Sequence, residues 1–134
     1  MYRPVSMALG LLVLTAAPAA AQKTHTVKLV HPERSSIYRF EPAAVSAQPG
    51  DVLVFTIESG GPYVVAFQPT GFSAPALALM TKAIPGGNPE LRAPALSGKG
   101  ESFRVTLPSL PPGEYRFYSV THVAYRMTGT LTVR

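Results

Sequence analysis

Cysteine and tryptophan are both missing from the 134 residues. With no thiol anywhere, disulfide frameworks, thiolate catalysis, cysteine-rich zinc modules and cysteine-linked lipid anchors are excluded. Charge is scarce as well: charged residues make up 14% of the chain, with 12 Lys and Arg against 7 Asp and Glu for a formal net charge of +5. No run of basic residues exists. Arg34, Arg39, Arg92, Arg104, Arg116 and Arg126 stand singly, which reads as solvated surface and not as the clustered stripe that nucleic-acid binding needs. Hydrophobic residues, by contrast, reach 46%, enough for a packed core and against disorder. The 14 prolines and 11 glycines disfavour a helical bundle and favour short elements joined by turns. At this length one domain is expected.

The first segment reads as an address. Arg3 precedes an apolar stretch from Met7 to Leu14, and Pro18-Ala19-Ala20-Ala21 closes it with small residues, the pattern of a secretory leader cut after Ala21. Residues 1–21 are therefore expected to be a signal peptide and residues 22–134 the domain, which places the mature protein in the periplasm or otherwise outside the cell. No charge lies between Arg3 and Lys23, a stretch within the roughly 17–25 residues able to cross a bilayer. Retention of the segment as an N-terminal membrane anchor stays open for that reason.

From Thr24 onward apolar and polar residues alternate at period two, and Pro, Gly, Asn and Ser clusters separate the runs. That is the signature of strands with one buried face. Strands are expected over Thr24–Val30, Ala43–Ala47, Val52–Glu58, Val64–Phe67, Ser102–Leu107, Glu114–Ser119 and Thr128–Val133. Within them Leu53, Phe55, Ile57, Phe103, Val105, Leu107, Tyr115, Phe117, Ser119, Leu131 and Val133 should face inward. About seven short strands make an antiparallel β-sandwich the expected architecture. Between Pro69 and Gly98 the alternation lapses. There Ala74–Lys82 is expected to form a short helix with Ser73 as N-cap and Pro75 in its first turn, an insert loop and not a second domain.

The chemistry-bearing residues fall in two stretches. The first runs Phe40-x-Pro42-x-x-Val45, Pro49-Gly50-Asp51-x-Leu53-x-Phe55 and Gly61-Pro62-Tyr63-Val64-Val65-Ala66-Phe67; the second runs from Pro112-Gly113-Glu114-Tyr115-Arg116-Phe117-Tyr118-Ser119 through His122 and Met127 to Gly129-Thr130-Leu131-Thr132-Val133. Together they closely resemble the cupredoxins, the plastocyanin and azurin family, over the chain from about Thr24. The resemblance implies an all-β, Greek-key sandwich. It also implies four copper-ligand positions: histidine at Tyr63, cysteine at Ser119, histidine at His122 and an axial methionine at Met127.

Two of these four positions depart from the pattern. A blue copper centre sets two imidazoles and a thiolate around the metal, with methionine as a weak axial ligand. A serine hydroxyl is a hard, neutral donor, and Tyr63 would have to ionise far below its usual pKa of about 10. The expectation from the residues is therefore a vestigial site at Tyr63, Ser119, His122 and Met127 that holds no metal and no other cofactor. Tyr63 would fill the old cavity, and its phenol would share hydrogen bonds with Ser119 and His122, since buried polar groups need partners. Weak Cu(I) binding at His122 and Met127 is the lesser alternative.

In copper-bearing relatives, as the resemblance implies, the end with the histidine ligand docks onto membrane partners. Pro62, Tyr63, Val120, His122, Val123, Ala124 and Tyr125 would form that end here, with Phe72, Leu77, Leu79 and Met80 of the insert adding apolar surface. The reading that follows is a non-enzymatic subunit without copper, serving by contact in a membrane-bound complex of electron transport or photosynthesis. Its alternative is a periplasmic copper-binding electron carrier with an unusual site. Catalysis finds no support, because the Ser119 and His122 pair has no carboxylate nearby to orient the imidazole. His25 and His31 flank the first strand and read as solvated. Only a terminus at Lys23 would bring Lys23-Thr24-His25 into a Cu(II) chelate.

Overall fold

The computed structural model describes Gly10 and residues 21–134. The leader expected over residues 1–21 thus falls almost wholly outside the described residues. Eight strands form two four-stranded sheets: β1 (Thr24–Val30), β2 (Arg39–Glu41), β4 (Val52–Ile57) and β6 (Ser102–Thr106) in one, and β3 (Ala44–Ala47), β5 (Val65–Phe67), β7 (Gly113–Ser119) and β8 (Thr128–Val133) in the other. Spatial order is β2-β1-β4-β6 and β3-β8-β7-β5.

The sheets are mixed, which corrects the antiparallel expectation. β1 runs parallel to β4, with Val27 opposite Phe55, and β3 runs parallel to β8, with Val45 opposite Leu131. Alternation reports which face a residue takes and carries no information about which strand lies beside it. The three-residue β2 went unforeseen because a run that short has no measurable period and ends at Pro42, which cannot donate to a ladder.

Inward alternation holds elsewhere. Leu53, Phe55, Ile57, Phe103, Val105, Leu107, Tyr115, Phe117, Ser119, Leu131 and Val133 are all buried. Phe117 sits at the centre, edge-on to Phe40 at 4.9 Å and to Phe55 at 5.3 Å between ring centroids, the edge-to-face geometry that aromatic quadrupoles favour. Gly129 on β8 lies opposite Phe117. A Cβ there would overlap the Phe117 ring, so glycine is what lets the aromatic pack flat against the strand.

The insert contains α1 (Ala74–Ala83), capped by Ser73, whose Oγ accepts from the Ala76 N–H at 3.4 Å, with proline in the first turn. Ala76 and Met80 face the core and Phe72 is buried beside them, so Phe72 and Met80 do not contribute the exposed apolar surface expected of them. The return leg of the insert runs along the open edge of β5, bridging Tyr63 to Leu96 and Ala66 to Arg92. An edge that would otherwise present unpaired backbone groups is thereby covered.

Candidate functional site at the histidine end

Three loops meet at one end of the sandwich: residues 31–38 between β1 and β2, 58–64 between β4 and β5, and 120–127 between β7 and β8. Backbone bonds set their positions. The Ser119 N–H donates to Met127 O at 3.0 Å and closes the last loop at its base, while the Val120 N–H donates to Val64 O at 2.7 Å and ties it to the second. The His31 N–H donates to Ser59 Oγ at 2.9 Å and ties in the first.

Tyr63, Ser119 and Met127 are buried at this end, and His122 is partly exposed. The imidazole Nδ1 of His122 lies 3.3 Å from Ser119 Oγ and 2.9 Å from Thr121 Oγ1; Thr121 Oγ1 lies 3.1 Å from Ser119 Oγ and donates to Pro62 O at 3.3 Å. Thr121 was missed in the sequence because it matches no motif; only its hydroxyl neighbour three positions before a histidine could have drawn attention to it. Tyr63 stays outside this network, which corrects the expected bonding of its phenol to Ser119 and His122. The Tyr63 hydroxyl donates instead to Ser59 O at 2.6 Å, and its ring tilts against His122 at 5.1 Å. Burial pushes the Tyr63 phenol up to about 12, with the neighbouring Tyr38 adding to the effect, so the group stays protonated at neutral pH.

An aromatic column crosses the same end. Tyr38 is sandwiched between His31, 3.9 Å away with rings 3° from parallel, and His122, 4.0 Å away at 19°. Tyr125 leans on Tyr38 at 4.6 Å. Burial holds the His122 imidazole below its ordinary pKa, and the His31 imidazole across Tyr38 adds repulsion. Around this column Val123 is 60% exposed, Ile37 50% and Tyr125 49%, and Pro62 and Ala124 are exposed with them. Val120 and His122 are half-buried. Tyr63, fully buried, leaves the expected docking set, while Ile37, on a loop without sequence signal, joins it.

At the opposite end His25 is tied down. Its Nε2 donates to Asp51 Oδ2 at 2.9 Å, and the Asp51 carboxylate also accepts the Lys23 and Gln48 N–H groups at 3.1 Å each. The His25 hydrogen bond above all, then the Gln48 and Lys23 amides, hold Asp51 down to about 2. Asp51 is therefore a turn anchor, and His25 is neither freely solvated nor near His122.

Two packed four-stranded sheets with a histidine-bearing loop at one end are the architecture of the cupredoxin class. The model of the family described as copper binding proteins, plastocyanin/azurin family, matches residues 26–134. A plastocyanin of Prochlorothrix hollandica is 37% identical over 131 residues, covering 96% of this chain and 86% of its own. A mutant fern plastocyanin superposes with a TM-score of 0.64 at 25% identity over 82% of this chain and all of its own. The oxidised plastocyanin of Dryopteris crassirhizoma gives 0.64 at 24% over the same shares. The chain belongs to the plastocyanin/azurin family of copper-binding proteins.

The expectation of a copper-free structural subunit is corrected by these matches. They run the length of the domain and lead to copper proteins, and none of them points to a structural subunit. The error lay in the weight given to two substitutions. Loss of a thiolate excludes one kind of copper centre and is silent on others. The donor set itself does not fit a type 1 centre: Ser119 supplies a neutral hydroxyl where that centre needs sulfur, and Tyr63 is a protonated phenol turned to Ser59. Among the described residues no cluster of three or more His, Cys, Asp or Glu could hold a metal ion. No helix among the described residues is long and apolar enough to cross a membrane.

Proposed function

We propose that the protein is an exported, non-enzymatic, copper-binding electron carrier with an unusual site at its His122 end. The observation that carries this reading is family membership over residues 26–134, together with 37% identity to a plastocyanin across 96% of the chain. His122 is the one imidazole at that end whose ring nitrogen approaches the Ser119 position. The exposed apolar rim of Ile37, Val123 and Tyr125 supports docking of this end onto a redox partner, itself in a membrane-bound assembly, as aromatic and aliphatic side chains in such a patch form interface cores.

The missing sulfur has a consequence for the carrier. Soft thiolate favours Cu(I), whereas imidazole and oxygen donors favour Cu(II), so the reduced state is disfavoured and the potential should lie below that of a thiolate-ligated relative. The test is copper loading of the mature protein followed by voltammetry beside such a relative under one set of conditions. The expected result is a reversible one-electron couple at the lower potential with no intense blue absorption. Absence of any couple in copper-loaded protein overturns the proposal.

A further inference from the structure

The first anchored backbone of the domain lies just past the expected cut. A leader removed after Ala21 leaves Gln22 as the terminal residue. Ala21, Gln22 and Lys23 are exposed and precede β1, which starts at Thr24. Among the described residues the first main-chain groups tied down are those of Lys23. Its N–H donates to Asp51 Oδ1 at 3.1 Å, and its carbonyl accepts the Val52 N–H at 2.8 Å. Gln22 therefore stands in water, its main chain fixed only on the side of its own carbonyl.

A glutamine that bears a free α-amine carries a nucleophile and an electrophile in one residue. Attack of the neutral amine on Cδ closes an unstrained five-membered lactam, and holding both groups in one residue makes the step unimolecular. The bond from the α-nitrogen to Cδ forms, the bond from Cδ to Nε2 breaks, and Nε2 leaves as ammonia with one hydrogen taken from the amine. No oxidant, metal or second reactant enters. An α-amine titrates at about 7.7–8.0, so roughly a tenth of it is neutral at pH 7 and more above. The fold does not oppose closure. The ring keeps the Gln22 carbonyl and the Lys23 N–H, so the bonds of Lys23 to Asp51 and Val52 persist.

An open terminus, by contrast, presents exposed residues to aminopeptidases. Removal of Gln22 and Lys23 would take one donor from the Asp51 carboxylate and the acceptor from the Val52 N–H, at the point where Thr24 begins the parallel pairing of β1 with β4 opposite Val52. A lactam offers such an enzyme no primary amine.

We propose that Gln22 is a modification site: after export the new terminus closes to a pyroglutamyl residue, which removes the terminal positive charge and shields the Lys23 anchor of β1 from trimming. This rests on the export part of the reading above, with the cut after Ala21, and not on its copper chemistry.

The experiment uses the full chain with its leader, produced in an exporting bacterial host and recovered from the periplasm. Intact mass and fragmentation of the terminal peptide ending at Glu33 are followed on recovery and during standing at mildly alkaline pH. Wild type should reach the mass of residues 22–134 less one ammonia, with no α-amine open to labelling. Gln22→Ser keeps a small residue after the cut and has no side-chain amide, so it should keep its full mass and a reactive amine. Incubated with a broad-specificity aminopeptidase, wild type should retain its terminus while Gln22→Ser loses residues 22 and 23. A wild type that keeps a free Gln22 amine throughout, or that is trimmed as fast as Gln22→Ser, overturns the proposal. A first residue other than Gln22 overturns it together with the expected cut. Voltammetry decides the carrier function separately: absence of a couple would leave the ring standing, and an open terminus would leave the carrier intact.

Discussion

Replacing Tyr63 tests whether this residue is part of the framework or part of the chemistry. The side chain is fully buried, its hydroxyl donates to Ser59 O at 2.6 Å and its ring packs against His122. Tyr63→Phe keeps the ring and leaves the Ser59 carbonyl without its donor, which costs about 1–3 kcal/mol. Tyr63→Ala removes the ring as well and should cost about 3–5 kcal/mol, the range for deleting a buried aromatic. Against a total of about 5–15 kcal/mol for a domain, the alanine variant is left marginal. Urea denaturation followed by circular dichroism reads both, and the phenylalanine variant should melt lower by about 4 °C for each kcal/mol lost.

The alkaline limb adds a second reading. The Tyr63 pKa is raised in the folded protein from 10.0 to about 12, so between these values the unfolded chain gives up its proton first and wild-type stability falls as pH rises. Tyr115, also raised by burial, produces part of this fall in every variant. Tyr63→Phe should remove the share due to Tyr63 and flatten the curve above pH 10. A phenylalanine variant as stable as wild type at neutral pH, with an unchanged alkaline limb, would refute the assignment of Tyr63 to the core.

Other outcomes follow from the same geometry. Asp51→Asn should weaken the anchor of His25, Lys23 and Gln48; because the Asp51 pKa is depressed to about 2, its stabilisation is present above its ordinary value near 4 and lost as pH falls toward 2, so urea midpoints across that window should fall less steeply in the variant than in wild type. Gly129→Ala places a Cβ against the Phe117 ring and 2.9 Å from Ala43 O and should lower stability by about 1–3 kcal/mol through overpacking, measured by thermal melting. Wild type mixed with Cu(II) should show no intense thiolate-to-copper band. The double variant Tyr63→His, Ser119→Cys should show one, since it supplies the two imidazoles and sulfur such a centre needs; its failure to do so would mean that the loop geometry, and not only the donors, has departed from the family's.

Much of the framework was legible because it depends on local pattern. Phe103 and Val105 alternate with Ser102, Arg104 and Thr106, and a strand with one buried face allows no other spacing. Ser73 followed by Pro75 announced the start of α1, since a hydroxyl that accepts a backbone N–H and a fixed φ both suit a first helical turn. The positions of His122 and Met127 in the end loop were legible only through the resemblance to the cupredoxins, whose motif places a histidine and a methionine there.

What tertiary structure alone decided was partnership. The parallel neighbours of β1 and β3, the turning of Tyr63 to Ser59 and away from His122, the joining of Thr121 to Ser119 and Pro62, and the stacking of Tyr38 between two histidines all bring together residues whose separation along the chain leaves no periodic trace. Sequence by itself determined which strand residues face inward and that no sulfur ligand beyond methionine exists; only folding determined which oxygen meets which nitrogen, because a hydrogen bond depends on an ångström of placement that hydrophobic alternation does not encode.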